Sequence, residues 1–457
     1  FLFTNHQHGA VFCAQKRVGK RHMTYPKRFI DHIFLFFYSA ISTLGLPAVL
    51  TYLWHRGRKE PLYFSALSER FGGGSVPFRG AAWIHAVSLG ELRAAQPLIS
   101  ALLGAGEKIL LTTMTAAGRT AAMQKFDVQI NDGQLHVTWV PIDAPWIVRR
   151  FLRRHRPKFG MILEIELWPG LMAGAKSYKI PMIMAQAQYP IRSFLRDKPW
   201  PALRRHLVQG FALIMAKSTT HAARFQDCGA PNVVVMGELR FDLPVPPAHL
   251  AAAKALRVRL AGRPVYCFAS THPQEDPLLE PVLKGLKDSG KNPFFIYVPR
   301  HPSAFNGTWG TLENAGFKLL RRSKDFTSDL ACDVESFSGY DGIFGDSMGE
   351  INFYFELSDH VFIGDSFIDE GSHNIIEPLR LLKTVAVGPS IWGIEYPATE
   401  ALEASVLTRH TTPKALLDHW LADTSTDKSV RIAEFIVEHG GATQRAIALL
   451  KAHGFLL

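Results

Sequence analysis

From Ala81 onward the chain alternates short, continuous apolar runs with longer stretches that are apolar on one side only. The first series of runs is Trp83–Val87, Ile109–Thr113, His136–Val140, Gly160–Glu164, Met182–Ala185, Leu213–Ala216 and Val233–Met236. Between them lie helical patterns such as Ala116–Phe126, Trp146–His155 and Thr220–Asp227. A strand buried on both faces reads as an unbroken apolar run. The alternation therefore predicts mostly parallel sheet with helices on both faces. Leu243-Pro-Val-Pro-Pro247 breaks the pattern. A second series follows at Val265–Ala269, Phe294–Val298, Gly342–Phe344, His360–Ile363 and Val385–Val387, and three helical patterns close the chain after Pro413. The expectation is α/β: two doubly wound domains, residues 60–243 and 263–457, joined by a linker over 244–262. Ligands of such sheets bind beyond the carboxyl ends of the strands, so the residues there are the candidates for chemistry.

Ahead of the first domain, residues 33–53 form a stretch of 21 residues without a charge. That is long enough to span a bilayer. Lys27 and Arg28 precede it, and His55, Arg56, Arg58 and Lys59 follow. It is too long and bulky for a cleaved signal peptide. A membrane-anchor helix over 29–59 is expected; a buried core helix is the alternative, because Gly45 and Pro47 interrupt the run. Residue 1 is Phe and the first methionine is Met23, so residues 1–28 are read as an extension without functional weight.

At 457 residues with 47% hydrophobic and 20% charged positions, the chain is globular and not disordered. The net charge of +11 favours anionic partners: phosphorylated substrates or acidic lipid. Nucleic acid is disfavoured, because no Lys/Arg run is interleaved with aromatic residues. The cysteines (Cys13, Cys228, Cys267, Cys332) are scattered and make neither a disulfide framework nor a metal site. No P-loop, no GxGxxG after a first strand and no HExxH occurs, so neither a cofactor nor a metal is expected.

In the first domain the leading strand ends His85-Ala-Val-Ser88-Leu-Gly90-Glu91, with Arg93 following. Gly90 permits a tight turn into a helix, which makes Glu91 a general base or simply a helix cap. The fourth strand ends Glu164-Ile-Glu166-Leu-Trp-Pro169. These carboxylates share a face if the strand persists; an ion pair inside the cleft is the alternative. In the second domain, Ser270-Thr271-His272 brings hydroxyls that can meet a phosphate, and Pro299-Arg300-His301-Pro302 brings two cations or a plain surface loop. The turn Gly345-Asp-Ser347-Met348-Gly349-Glu350 offers backbone N–H groups to an anion. Gly364-Asp365-Ser366 leads into Gly371-Ser372-His373-Asn374-Ile-Ile-Glu377-Pro378. Asn374 and Glu377 are three apart and would share a face of a first helical turn, where a carboxylate suits a ribose diol. His373 alone reads as structural. Residues 345–349 also match GxSxG, with Asp359, Asp365 or Asp369 and then His373 downstream. A nucleophile elbow needs a strongly apolar strand before it and a long helix after it, so a serine hydrolase using Ser347 is the weaker alternative.

In order along the chain, Trp83-Ile-His-Ala-Val-Ser-Leu-Gly-Glu91, Glu164-Ile-Glu-Leu-Trp-Pro169, Gly237-Glu-Leu-Arg-Phe-Asp242, Ala269-Ser-Thr-His272, Val298-Pro-Arg-His-Pro302, Gly345–Glu350 and Gly371–Pro378 form a specific set. The set resembles the 3-deoxy-D-manno-octulosonic acid (Kdo) transferases of lipopolysaccharide biosynthesis, inverting glycosyltransferases of the GT-B fold. The resemblance implies two Rossmann-like domains facing a cleft, the first binding the acceptor and the second a CMP-sugar. It implies CMP-Kdo as donor and a lipid A precursor (lipid IVA) as acceptor. It also implies an inner-membrane lipid partner, with the catalytic domains on the cytoplasmic side and no metal. By position it makes Glu91 the catalytic base. On the donor side it implies Ser270, Thr271, Arg300, His301, Met348, Gly349, Glu350, Ser366, His373, Asn374 and Glu377. Toward the acceptor it implies Ser88, Gly90, Arg93, Glu164, Glu166 and Gln188. Three departures from the family pattern stand out: Gln186-Ala-Gln188 for Asn-Ala-Arg, Asp365 for the second residue of Gly-Gly-Ser, and Ser372 for the second of Gly-Gly-His-Asn. The first removes a cation from the acceptor side. A GT-B enzyme using another nucleotide sugar is the remaining alternative. For Glu91, the helix N-terminus lowers the pKa while burial raises it, two opposed effects.

Overall fold

The computed structural model describes residues 25–26, 28–74, 76–197, 201–422 and 428–457. Most of the expected extension over 1–28 lies outside the described residues.

The first domain is a seven-stranded sheet in the order β3-β2-β1-β4-β5-β6-β7, every pair parallel. Its strands are β1 (Ala82–His85), β2 (Ile109–Thr113), β3 (Leu135–Trp139), β4 (Phe159–Leu163), β5 (Met182–Ala187), β6 (Leu213–Ala216) and β7 (Val233–Val235). The second sheet runs β10-β11-β9-β8-β12-β13-β14, also parallel throughout. It contains β8 (Val265–Thr271), β9 (Phe294–Pro299), β10 (Leu319–Arg321), β11 (Gly342–Phe344), β12 (His360–Ile363), β13 (Thr384–Val387) and β14 (Leu407–Arg409). Strands such as β1 and β2 are buried at every residue, which is why they read as unbroken apolar runs. The three-residue edge strands β10 and β14 carry too little pattern to be seen. Each sheet reverses strand order once, between β1 and β4 and between β8 and β12. Crevices open at such switch points.

The domain bounds differ from the expected ones in two places. Most of the supposed linker is a helix, Pro247–Arg259, whose Ala253 and Leu256 belong to the second domain's core. The last helix, Ala442–Ala452, returns to the first domain, where Ala442, Ala446 and Leu450 pack in the core of β1, β2 and β4. Asp242, at the end of the first domain, accepts the Gly441 and Thr443 N–H groups (2.7 and 2.6 Å) and so fastens the returning chain beside the outgoing one.

The expected single anchor helix is instead two helices, Phe29–Leu44 and Leu46–Gly57, bent by 47°. Pro47 breaks the i−4 hydrogen-bond ladder there. Among the described residues, no single helix is long and apolar enough to cross a membrane. One face of the pair is docked on the first domain. Asp31, buried, pairs with buried His206 at 2.5 Å; the Tyr38 hydroxyl donates to Asp143 (2.7 Å); the Trp146 indole donates to Thr43 (3.2 Å). The other face leaves Phe29, Phe36, Phe37, Ile41 and Leu44 exposed, Leu44 by 80%.

Candidate functional site

Glu91 is the third residue of the helix Leu89–Gly104, which starts directly after β1 at the first sheet's switch point. Ser88 caps that helix, accepting the Glu91 N–H at 3.3 Å and donating its hydroxyl to the Glu91 carboxylate at 3.2 Å. The other carboxylate oxygen accepts the Val87 N–H at 2.8 Å. Glu91 thus takes part in the helix cap through Ser88 and the Val87 N–H, and its side chain is half-buried. Burial and then the neighbouring Glu164 push its pKa up to about 7, outweighing the Val87 and Ser88 hydrogen bonds. Burial wins over the helix terminus. A carboxylate with that pKa is poised as a general base near neutrality.

Glu164 and Glu166 do not share a strand face. β4 ends at Leu163, and Glu164 turns away with φ +59°. Glu164 instead joins a polar cluster. The Gln188 amide donates to it (2.8 Å), and Lys217 and Arg240 are 3.4 and 3.6 Å away. Lys217, buried, also donates to Gln188 (2.9 Å) and pairs with buried Glu238 (3.0 Å). Gln188 therefore fills the place between Glu164 and Lys217 with one donor and one acceptor. Glu166 accepts the Trp168 indole N–H at 2.6 Å, and burial raises its pKa.

Arg240, from the short 3-10 turn Leu239–Asp242, is the residue that sequence reasoning missed. It pairs with Glu238 (3.2 Å) and Glu164. Burial lowers its pKa, but the field of Glu238, Glu164, Glu377 and Glu91 reverses that and raises it. Its charge acts on Glu91 and on Glu377 of the second domain alike. Its motif, Gly237–Asp242, was visible in the sequence, but nothing local tied it to Glu91.

In the second domain Ser270 and Thr271 end β8, with Ser270 in a left-handed turn (φ +58°). Gly364 crosses them so closely that a Cβ would meet the Ser270 carbonyl oxygen at 2.6 Å, which brings the ends of β8 and β12 together. Arg300 and His301 lie exposed beyond β9, with the Arg300 N–H held by the Thr271 carbonyl (2.9 Å). Met348 and Gly349 are exposed, and the Arg93 guanidinium from the first domain reaches to 3.9 Å from where a Gly349 Cβ would be. Burial raises the Glu377 pKa, opposed by Arg240, Arg93, Arg380 and Arg300. Glu377 is thus the carboxylate around which cations of both domains gather.

Two donor-side expectations, for Ser366 and Asn374, are corrected. The Ser366 hydroxyl is spent inside the protein, donating to Ile363 (2.7 Å) and accepting from Gly388 (2.8 Å). The Glu350 carboxylate is clamped by Arg322 through both oxygens (2.6 and 2.8 Å), which leaves the backbone N–H groups of its turn as the part offered to an anion. Asn374 precedes the helix Ile376–Arg380 and caps its Ile376 N–H (3.0 Å), so it does not share a helical turn with Glu377. His373 is half-buried and paired with Asp365. Ser347 donates to Glu350, and β11 has three residues and the next helix, Ile351–Leu357, seven. That is not a nucleophile elbow. Among the described residues, no group of three His, Cys, Asp or Glu side chains is arranged to hold a metal ion.

Two parallel α/β domains with a cleft between their strand ends also occur in a glycosyltransferase from Rickettsia africae (TM-score 0.55, 13% identity, 83% of this chain and 99% of that one). The S. aureus MnaA-UDP co-structure is similar in the same way (TM-score 0.54, 14% identity, 83% and 98%). The fold is thus the two-domain parallel α/β arrangement of the GT-B type. Residues 65–243 match the family model described as 3-deoxy-D-manno-octulosonic-acid transferase (kdotransferase). The 3-deoxy-D-manno-octulosonic acid transferase of Bordetella pertussis is 34% identical over 431 residues, covering 90% of this chain and 98% of that protein. Its counterpart in Haemophilus influenzae is 30% identical over 440 residues, covering 92% and 98%. The chain belongs to the 3-deoxy-D-manno-octulosonic acid transferase family and is a Kdo glycosyltransferase.

Proposed function

We propose that the enzyme moves Kdo from CMP-Kdo to a sugar hydroxyl of a lipid A precursor, lipid IVA, at the cytoplasmic face of the inner membrane. Glu91 takes the proton of the acceptor hydroxyl as its oxygen attacks the anomeric carbon. CMP leaves from the opposite face and the configuration inverts. The observation that carries this reading is Glu91 itself: a carboxylate with a pKa of about 7 at a sheet switch point, facing a second domain that supplies Arg300, His301 and Glu377. The leaving group is a nucleoside monophosphate, whose charge Arg300 opposes. Ser270, Thr271, the Met348–Gly349 turn, His373 and Asn374 complete the donor side. Ser88, Gly90, Arg93, Glu164, Glu166 and Gln188 line the acceptor side.

Two features support a lipid acceptor. A groove of about 490 Å³ is lined by Pro61, Leu62, Leu89, Arg93, Ala116 and Ala117, between the end of the bent helix pair and the helix that carries Glu91. Exposed Arg149, Arg150 and Arg153 share the helix Pro145–His155 with Trp146, which bonds Thr43 of the pair. The exposed apolar face of the pair together with these arginines suits an anionic bilayer surface. The docking of its other face through Asp31, Tyr38 and Thr43 supports a pair that lies in the membrane interface.

The test is transfer by purified protein from CMP-Kdo to a tetraacylated lipid A precursor, with and without EDTA, beside Glu91→Gln. Product from the wild type and none from the variant supports donor, acceptor and base together. No product from folded wild type would remove CMP-Kdo or the lipid and favour another nucleotide sugar. Product from both would keep the substrates and remove Glu91 as base.

A further inference from the structure

We infer that Asp365 is a positioning residue for the donor site: it fixes the His373 imidazole through Nε2 and so leaves Nδ1 as the nitrogen available to the donor. This rests on reading the ends of β8, β9 and β12 as the donor site.

Asp365 and Ser372, two of the chain's departures from its family pattern, turn out to be one local arrangement. Both have left-handed backbone, φ +54° and +64°, and the Ser372 N–H donates to the Asp365 carbonyl (2.9 Å). Glycine takes such conformations at least cost, so a side chain here works against its own backbone. Asp365 is also buried, 5% exposed, and a carboxylate taken from water needs partners. Its backbone has one: the N–H groups of Asp365, Ser366 and Phe367 converge on Glu275 (2.6, 2.9 and 2.8 Å), which holds the turn rigid. Its side chain has one as well. Oδ2 is 2.5 Å from His373 Nε2, while Oδ1 has no partner among the described residues. The carboxylate's hydrogen bond among the described residues is therefore to the imidazole.

An ionised carboxylate only accepts, so the proton on that ring nitrogen is Nε2–H, and the ring's tautomer and tilt follow from it. The other nitrogen belongs to a ring whose side chain is 30% exposed. It stands in a cation-rich setting: His301 lies in the field of Arg300, Asp365, His373 and His272 together. With the ring pinned, Nδ1 keeps a constant place relative to Arg300 across the strand ends. An unpinned ring would spend part of its time turned away, and binding would fall in proportion.

The experiment uses full-length protein labelled with 15N-histidine, with H373Q to assign the His373 signals, and compares wild type, D365G and D365N. Glycine suits the left-handed backbone, so D365G should fold; D365N keeps an acceptor oxygen. The expected wild-type spectrum has His373 protonated at Nε2, a preference lost in D365G and largely kept in D365N. The expected kinetics are a CMP-Kdo KM about tenfold higher in D365G with kcat within about twofold, and D365N between the two. An unchanged His373 spectrum in D365G would overturn the proposal. So would a changed spectrum with an unchanged donor KM. A wild type that transfers nothing from CMP-Kdo fails the donor reading instead, and the spectra alone then decide whether Asp365 sets the ring.

Discussion

Arg224 of the first domain grips Glu395 of the second through both guanidinium nitrogens, at 2.7 and 2.5 Å, and the Ile191 N–H joins the same carboxylate at 3.3 Å. Both side chains are mostly buried, 12% and 22% exposed, so the pair is screened less than a surface bridge. Hydrogen bonds to charged groups contribute about 1.5–3 kcal/mol. Arg224→Ala should loosen the domain arrangement and lower kcat/KM about tenfold or more. Solution scattering should show an increased radius of gyration; an unchanged radius with full activity would mean that the pair is incidental.

Glu91 sets a pH dependence whose sign is fixed. Its pKa in the folded protein is about 7, above the ordinary 4.5, so the basic form accumulates only above neutrality. Activity should rise through about pH 7 and fall on acidification. For stability, the folded state holds this proton more tightly than the unfolded chain does. The penalty of ionising Glu91 appears as pH rises above 4.5 and is complete above 7. Glu91→Gln should therefore be inactive yet more stable than wild type at pH 8, by on the order of 2 kcal/mol after allowance for partial exposure, with no gain at pH 4. Thermal melts at the two pH values check this.

Arg240 should matter through Glu91. Removing its charge leaves Glu164 and Glu238 with Lys217 as their remaining cation and strengthens the negative field at Glu91. The expected result for Arg240→Gln is an acid limb of kcat moved toward alkaline pH by about one unit, and for Arg240→Lys a profile close to wild type. A loss of activity equal at every pH would point to packing alone.

The amino-terminal helix pair should bind bilayers by its exposed face. Phe36→Asp with Ile41→Asp removes two apolar side chains that contribute about 1.5–3 kcal/mol each on burial. Cosedimentation with anionic vesicles should drop by two orders of magnitude or more, with circular dichroism unchanged. Asp31→Ala should act differently, destabilising the dock on His206 and lowering the melting temperature. Vesicle binding that survives the double substitution would rule this face out.

Much of this was legible along the chain because the determinants are local. A β-rich apolar run ending in a turn glycine announced β1 and put Glu91 at its tip; the same logic found β4, β8, β9 and β12. What was hidden depends on partners far away in sequence. Asp31 needs His206, 175 residues on, before the supposed anchor reads as a docked surface. Ser366 looked like a ligand group until Gly388 closed on its hydroxyl. Lys217 follows β6 while Glu238 and Arg240 follow β7, and only the parallel sheet gathers them around Glu164.

The clamp that Asp242 places on Gly441 and Thr443 ties together the two places where the chain passes between the domains, so the connection is a double strand held at one point and not a single thread. Arg240 is two residues from that tie, and the groups it meets, Glu164 and Glu238 with their shared Lys217, belong to the first domain as Glu91 does. The charges around Glu91 are therefore assembled within one domain and do not wait on the other.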